Sequence, residues 1–203
     1  MSGAAAGPVI LASASVTRAR LLEQAGLAVT SDPAGIDEAA LKQRCRADGA
    51  DAAACAAALA DAKAARVARR HESALVIGAD QLLACGRDWF DKPEDRAAAR
   101  RQLLQLRGRP HELATAVAVW RGDQPLWRYC ERPRLAMRAF SDAFLDAYLA
   151  AAGDSILASV GAYRLEGLGA QLFERIEGDY FAILGLPLLP LLAFLRGEGM
   201  LAA

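Results

Sequence analysis

The sequence predicts a mixed α/β fold, in which one sheet of parallel and antiparallel strands is flanked by helices. Short apolar runs typical of buried strands alternate with longer helical segments along the chain. A hairpin pattern interrupts this alternation at residues 121–124, between two strand-like segments. The alternation favours parallel strands and a hairpin joins antiparallel ones, so we expect both kinds in the same sheet.

The first half of the chain alternates between strands and helices. Its predicted elements are a strand at 8–12, a helix at 17–25, a strand at 27–30, a helix-prone stretch from 37, a helix at 51–70 and a strand that ends at 80 and resumes through 83. Gly26 favours the end of the first helix, and the many alanines of 51–70 favour a helix there. Ser13 and Ser15 place hydroxyls and free backbone N–H groups at a helix start, which predicts an anion-binding cradle.

The second half contains the hairpin and returns to helix. Its predicted elements are a turn at 91–93, a helix at 94–106, a strand at 113–120, its hairpin partner at 126–137, a helix at 141–151, a strand at 172–176 and a helix at 187–195. Pro93 suits a helix start and Ser141 suits an N-cap. The glycine-punctuated stretch 153–169 is interpreted as a functional loop. No repeat or linker is visible, so we predict one domain over residues 1–203.

The composition excludes several classes of protein. The chain has 203 residues, 24 Lys+Arg against 24 Asp+Glu, and a formal net charge of zero, whereas a duplex nucleic-acid binder normally has a basic excess. A hydrophobic share of 54% excludes a disordered chain. The four cysteines have no C-x-x-C spacing and there are only two histidines, which argues for free thiols and against a zinc site or a disulfide framework.

Neither end of the chain predicts a membrane segment. Residues 1–8 lack the basic and apolar regions of a signal peptide. The apolar stretch 181–195 is interrupted by Pro187 and Pro190 and is shorter than the ~20 residues that span a bilayer. We therefore expect a cytoplasmic protein without nucleic-acid or membrane partners.

Polar residues at the ends of apolar strands are the candidates for a site, because sites of open α/β sheets form outside the carboxyl ends of strands. Asp80 is the strongest of them, since it directly follows an apolar strand, although a turn aspartate is an equally ordinary interpretation. Lys63 and Arg18 taken singly read as helix-surface charges, and Glu166 reads as a loop acid. No single residue decides the function.

Taken together, these residues form a set suited to a phosphate-rich ligand. Such a ligand needs cations and backbone donors, which Arg18, Lys63 and Lys92 could provide in part. It also needs carboxylates that hold a divalent metal, and Glu38 and Asp80 are candidates because Mg²⁺ prefers oxygen ligands.

Eight short segments carry a resemblance to a known family. They are LASASVTR at 11–18, GIDE at 35–38, ADAKA at 60–64, VIGADQ at 76–81, DKP at 91–93, GAY at 161–163, GDY at 178–180 and LGLP at 184–187. Their kinds and their order resemble the Maf family of nucleotide pyrophosphatases, over roughly residues 9–196. So many segments in the family's order make this a specific match.

The resemblance implies hydrolysis of a nucleoside triphosphate to the monophosphate and diphosphate. It also implies an elongated α/β fold with a cleft between two lobes, a divalent metal (Mg²⁺ or Mn²⁺) and a homodimer in many members. Asp80 corresponds to the family's catalytic acid, described as a proton acceptor or metal partner, and Glu38 would share the metal. The other corresponding residues are the phosphate-binding Ser13, Ser15 and Arg18 and the two lysines Lys63 and Lys92.

Three departures bear on the substrate. Val16-Thr17-Arg18 stands where the family usually has Pro-Arg-Arg, so one of two cations is lost. The segment 158–160 differs from the Asp-Lys-Ala of the pyrimidine-nucleotide branch, and that branch has Gln where this chain has Glu166. The pairing of Arg164 with Glu166 is similar to the 7-methyl-GTP branch, which implies that both residues bind substrate.

The chemistry of Glu166 favours a purine, because a carboxylate can accept hydrogen bonds from guanine N1–H and N2–H₂. A house-cleaning enzyme acting on 7-methyl-GTP or another purine nucleotide is therefore the first interpretation. A dTTP/UTP pyrophosphatase is the alternative within the class. A nucleotide-binding regulator of septum formation with little turnover is another, and the lost second arginine favours it. A purely structural or interaction domain would leave the polar set unexplained.

Overall fold

The computed structural model describes residues 7–202, which form seven α-helices and one sheet of eight strands. The strands are β1 Val9–Leu11, β2 Val29–Ser31, β3 Leu75–Cys85, β4 Asp88–Phe90, β5 Pro110–Arg121, β6 Gln124–Glu131, β7 Arg134–Met137 and β8 Phe173–Glu177. The helices are α1 Val16–Gln24, α2 Glu38–Ala47, α3 Ala52–Ala68, α4 Arg96–Leu106, α5 Asp142–Ala152, α6 Tyr180–Ile183 and α7 Leu188–Gly197. The prediction that residues 1–8 are not a signal peptide falls mostly outside this range, because residues 1–6 are not described.

The sheet is mixed, as predicted. Its main path runs β2-β1-β3-β5-β7-β8, with β4 added beside β3 and β6 beside β5. The first strand pairs in parallel with β2 and with β3, and the remaining pairs are antiparallel. The parallel pairs come from the helical connections of the first half, and the antiparallel ones from the hairpins that follow.

Two long strands at the centre divide the sheet into two lobes. Strands β3 and β5 pair with each other from Val76↔Trp120 to Ala84↔Glu112. On the outer edge of β3, residues 75–77 pair with β1 and residues 83–85 pair with β4. On the outer edge of β5, β6 and β7 divide the strand in the same way. We call the part with β1, β2 and β6 the first lobe, and the part with β4, β7 and β8 the second lobe.

Each lobe has its own apolar packing. In the first lobe, α1 and α7 cover one face of the sheet and α3 covers the other with a surface of small residues. In the second lobe, α4 and α5 pack against the sheet through Leu103, Leu106, Leu135 and Leu145, all fully buried. The division leaves residues 78–82 without a strand partner on the outer edge of β3, within the described part of the chain.

Several predicted boundaries are wrong. Strand β3 does not end at Asp80 but continues to Cys85, because β5 pairs with it along almost its whole length. The predicted strand 126–137 is two strands, since Pro133, between them, has no N–H for a continuous ladder. The short elements β4 and α6 were not predicted.

The cysteines agree with the expectation of buried or half-buried free thiols. All four cysteines are free thiols, three of them buried and Cys130 half-buried. Among residues 7–202, none of the helices combines the length and the apolar character needed to cross a bilayer.

Candidate active site

A cleft of about 320 Å³ opens at the edge of β3, where the two lobes meet. The nine residues singled out in the sequence all line it: Ser13, Ser15, Arg18, Glu38, Lys63, Asp80, Lys92, Arg164 and Glu166. They come from six separate segments of the chain, so the fold brings together what the sequence spreads over some 150 positions. Their roles in catalysis and binding stay predictions.

A buried lysine joins two carboxylates at the floor of the cleft. Lys63 Nζ donates to Asp80 Oδ1 at 2.5 Å and lies 2.7 Å from Glu38 Oε1. Lys63 is 8% exposed and Asp80 is 5% exposed. Because Lys63 and Asp80 are poorly solvated, these two charges depend on each other for stabilisation, whereas the side chain of Glu38 is half-exposed. The cluster carries one formal negative charge that a cationic ligand could offset.

The close packing of α3 on β3 produces this cluster. A Cβ at Gly78 would lie 2.2 Å from the carbonyl oxygen of Ala60, so only glycine allows the helix to come this near. Asp80 follows Gly78 by two positions and therefore points to the same face of the strand. Lys63 lies between Ala60 and Ala64 on the helix surface that packs there, and it reaches Asp80 directly.

Arg18 is held from three sides at the open edge of β3. Its Nε donates to the carbonyl of Gly185 at 2.7 Å, and its Nη1 donates to the carbonyl of Ala79 at 3.0 Å and to Ser13 Oγ at 3.3 Å. The carbonyl of Ala79 faces the gap between β1 and β4, so the arginine occupies the place of a missing strand. Burial lowers the pKa of Arg18, and the charges of Asp80 and Glu38 oppose that shift.

The N-terminus of α1 also faces the cleft. Ser15 is its N-cap and accepts a hydrogen bond from the backbone N–H of Arg18, while Ser13 Oγ accepts one from the backbone N–H of Ser15. Hydroxyls and backbone N–H groups thus lie together at the helix start, where two of the N–H groups donate to the serines, and the binding of an anion there stays a prediction.

Lys92 enters the cleft from the second lobe, just after β4. Burial lowers its pKa most, the nearby positive charges of Arg18 and Lys63 lower it further, and the negative charges of Glu38 and Asp80 partly oppose this shift. The three cations therefore lie close enough to repel one another. A polyanion bound among them would relieve this repulsion.

Arg164 and Glu166 line the cleft from a tightly folded loop. The Nε and Nη2 atoms of Arg164 both donate to Glu166 Oε1, at 2.9 and 2.8 Å. Gly169 allows the loop to close, because a Cβ there would lie 2.4 Å from the carbonyl oxygen of Arg164. Both side chains also line a second recess of about 300 Å³, with Tyr148 and Leu168. The ion pair thus forms part of the wall between the two spaces.

Sequence reasoning missed two polar residues that support this site. Gln81 Nε2 donates to Thr115 Oγ1 and to the carbonyls of Ala182 and Ile183, and so fastens α6 to β3 beside the cleft. Lys42 forms an ion pair with Asp91 next to Lys92. A composition signal pointed to it: the chain has only three lysines, and the other two are Lys63 and Lys92.

Asp80 and Glu38 suit a divalent cation that also binds substrate oxygens. Within residues 7–202 there is no group of three or more His, Cys, Asp or Glu side chains that could enclose a metal. Mg²⁺, however, is usually held by one or two carboxylates together with waters and substrate phosphates. The two carboxylates converge on one point at Lys63 Nζ, so the donor set fits an ion of this kind.

Buried groups in the second lobe are not suited to proton transfer near neutral pH. His111 Nε2 lies 2.9 Å from Tyr163 Oη, and both side chains are buried. Burial lowers the pKa of His111 to about 4 and raises the pKa of Tyr163 far above its usual range. The pair therefore stays neutral and serves the packing beneath the 161–169 loop.

Comparisons with known proteins agree with the resemblance seen in the sequence. The family model described as "Maf-like protein" matches residues 8–198. A nucleoside triphosphate pyrophosphatase of Granulibacter bethesdensis is 56% identical over 93% of this chain and 95% of its own length. One of Paramagnetospirillum magneticum is 54% identical over 95% and 99%, and a 7-methyl-GTP pyrophosphatase of Rhizobium meliloti is 51% identical over 96% and 98%. The chain belongs to the Maf family.

Proposed function

We propose that this cleft hydrolyses a nucleoside triphosphate between its α- and β-phosphates and releases the monophosphate and diphosphate. The observation that carries the proposal is the cluster of buried Lys63 and Asp80 with half-exposed Glu38, which shares its cleft with Arg18 and Lys92. The names of relatives that are 53 to 56% identical support the enzyme class, that of nucleoside triphosphate pyrophosphatases.

The cations and the start of α1 bind the triphosphate in this proposal. Arg18 is already oriented by two backbone carbonyls, so little reorganisation is needed when a phosphate arrives. Arg18 and Lys92 offset the charge of the phosphates and of the leaving diphosphate, while Ser13 and Ser15 contribute hydroxyls beside the helix N-terminus. Preorganised donors of this kind stabilise the transition state more than water does.

Asp80 is proposed to orient or deprotonate the attacking water. The water oxygen bonds to the α-phosphorus. The bond from that phosphorus to the oxygen that bridges the α- and β-phosphates breaks, and diphosphate leaves with the electron pair. Lys63 positions the carboxylate of Asp80 by donating a hydrogen bond to Asp80 Oδ1. Asp80 and Glu38 would hold Mg²⁺ or Mn²⁺, which supplies charge neutralisation at the phosphate oxygens when bound.

The test of this function is diphosphate release by the purified chain with a nucleoside triphosphate and Mg²⁺ or Mn²⁺. We expect Asp80→Asn to lower the rate about a hundredfold, since removal of one such group costs roughly 3 kcal/mol of transition-state stabilisation. Asp154→Asn is the matched control, because Asp154 is exposed and pairs with Arg96 on the second lobe. A wild-type rate in Asp80→Asn would contradict the assignment.

We further propose that the substrate is a purine nucleotide, ordinary or 7-methylated, and that the chain removes modified nucleotides from the pool. Arg164 occupies one oxygen of Glu166, which leaves Oε2 to accept from a guanine edge. The relative of Rhizobium meliloti named for 7-methyl-GTP supports this choice.

A panel of 7-methyl-GTP, GTP, dTTP and UTP at equal concentrations distinguishes the substrates. We expect the purine nucleotides to be hydrolysed faster, and Glu166→Gln to shift the ratio toward dTTP because an amide matches a pyrimidine edge better. Glu174→Gln, on the exposed face of β8, should leave the ratio unchanged. A clear preference of the wild type for dTTP would overturn the purine assignment.

One observation favours a second candidate function, a nucleotide-binding regulator of cell division with little turnover. Thr17 lines the cleft where the family usually has an arginine, so one phosphate-binding cation is missing. Tight nucleotide binding without diphosphate release from any of the four nucleotides would support this candidate.

A further inference from the structure

We propose that Lys42 and Asp91 are a positioning pair that holds Glu38 and Lys92 at the correct separation across the cleft. The inference rests on the proposed function, because it concerns the geometry of the same site. Lys42 Nζ lies 2.5 Å from Asp91 Oδ1. The first residue belongs to α2 and the second to the segment between β4 and α4, so the pair connects the two lobes.

Both members of the pair adjoin a candidate catalytic residue. Lys42 follows Glu38 by one helical turn, and residues four apart lie on the same face of a helix. That face of α2 therefore makes two ion pairs, one from Glu38 to Lys63 in the first lobe and one from Lys42 to Asp91 in the second. Asp91 is directly followed by Lys92, so the position of one decides the position of the other.

Little else fixes α2 to the second lobe. Among the ten described residues of α2, Cys45 alone is buried. Arg46 adds a contact with β4, because its guanidinium lies 5.0 Å from the centre of the Trp89 ring. Asp91 itself is held to the second lobe, because its carbonyl accepts a hydrogen bond from Gln102 on α4. Leu41 and Cys45 attach α2 to the apolar cluster of α3 in the first lobe, whereas the Lys42–Asp91 ion pair attaches it to the second lobe.

The surroundings of Lys42 keep the pair charged. Burial lowers the pKa of Lys42, but the hydrogen bond to Asp91 and the charges of Asp91, Asp80 and Glu38 together outweigh it and raise the pKa above its usual value. The side chain of Asp91 is 65% exposed, and exposed ion pairs contribute little to folding stability. The contribution of this pair is therefore to the placement of its neighbours.

Placement affects the rate strongly, because a displacement of about 1 Å at reacting groups can cost a hundredfold. We expect Lys42→Met and Asp91→Asn each to lower kcat about tenfold for the best nucleotide, and to raise KM by less than that. The double variant should be no slower than the single ones, since both changes remove the same contact. The midpoint of thermal unfolding should change little.

The matched control is the ion pair of Arg121 with Glu198, which joins β5 to the end of α7 and does not line the cleft. Arg121→Met and Glu198→Gln remove a partly exposed pair of the same kind and should leave kcat at the wild-type value. Wild-type kcat in both Lys42→Met and Asp91→Asn would overturn the proposal.

Hydrogen exchange of α2 provides a readout that does not require turnover. Amide exchange over residues 38–47 should be faster in Lys42→Met than in the wild type and unchanged in Arg121→Met. If the wild type releases no diphosphate, the proposed function fails. Hydrogen exchange then still tests whether the Lys42–Asp91 pair holds α2 in place. Unchanged exchange in Lys42→Met would contradict a clamp on α2, and faster exchange would support it.

Discussion

Lys63 is the residue through which the candidate site is assembled. Its ammonium group contacts Asp80 from the sheet and Glu38 from α2, and its own helix brings it there from a third direction. Removing one partner of the buried Lys63–Asp80 pair leaves an uncompensated charge, which typically costs 3–5 kcal/mol. The arrangement therefore couples the stability of this part of the fold to the presence of the groups that are proposed to act on phosphate.

The lowered pKa of Lys92 predicts that nucleotide binding depends on pH. Its pKa is lowered by burial and by the charges of Arg18 and Lys63, so it loses its proton at a lower pH than an ordinary lysine, whose pKa is about 10.4. A triphosphate binds the protonated form better. We therefore expect the affinity for a non-hydrolysable nucleotide analogue to be full below this lowered pKa and to fall as the pH rises through it.

Lys92→Arg is the control for this titration, because a guanidinium stays protonated over the range in which lysine titrates. Calorimetric titrations between pH 7 and 10.5 should give a falling affinity for the wild type and a nearly constant one for the variant. A wild-type affinity that stays constant over this range would show that Lys92 does not contact the phosphates.

At the scale of elements, the contact between α3 and β3 determines where the catalytic candidates meet. Alanines on the helix and Gly78 on the strand remove the side chains that normally separate a helix from a sheet. The consequence is that Asp80, although its side chain is short, accepts a hydrogen bond from Lys63 on the helix. The many alanines of α3 favour helix formation. Their small side chains also allow the close approach to β3 that the site requires.

Gly78→Ala should separate the two elements. The new methyl group would lie 2.2 Å from the carbonyl oxygen of Ala60 and 2.7 Å from the backbone nitrogen of Ala64, so α3 must move away. We expect a loss of about 1–3 kcal/mol in the free energy of unfolding, as for other overpacked cores. Diphosphate release should fall as well, because Lys63 moves with the helix.

Gly197→Ala is the matched control for this substitution. Gly197 lies in α7 and a Cβ there would meet no atom within 4 Å, so the change should leave stability equal or higher, since alanine favours helix. Chemical denaturation measures both variants on the same scale. Equal stability of Gly78→Ala and the wild type would mean that the helix can shift without cost.

At the scale of the whole molecule, the cleft is a consequence of how the sheet is divided. Strands β3 and β5 run through both lobes, while β1 and β4 each cover only one end of β3. The uncovered stretch, residues 78–82, has Asp80 at its middle. It also exposes the carbonyl of Ala79, which accepts a hydrogen bond from Arg18. A polar site can therefore lie in the middle of a sheet without interrupting its central hydrogen bonds.

The kinds of residue, the order of the motifs and most helices and long strands follow from the sequence by itself, because propensity, periodicity and short motifs act over neighbouring positions. These features were enough to predict a mixed sheet and to name nine of the residues that line the cleft. The continuation of β3 past Asp80, the anchoring of Arg18 by Gly185 and the pairing of Lys42 with Asp91 were decided only by the tertiary structure. These contacts join positions up to 167 residues apart, and local spacing carries no information about which distant groups meet.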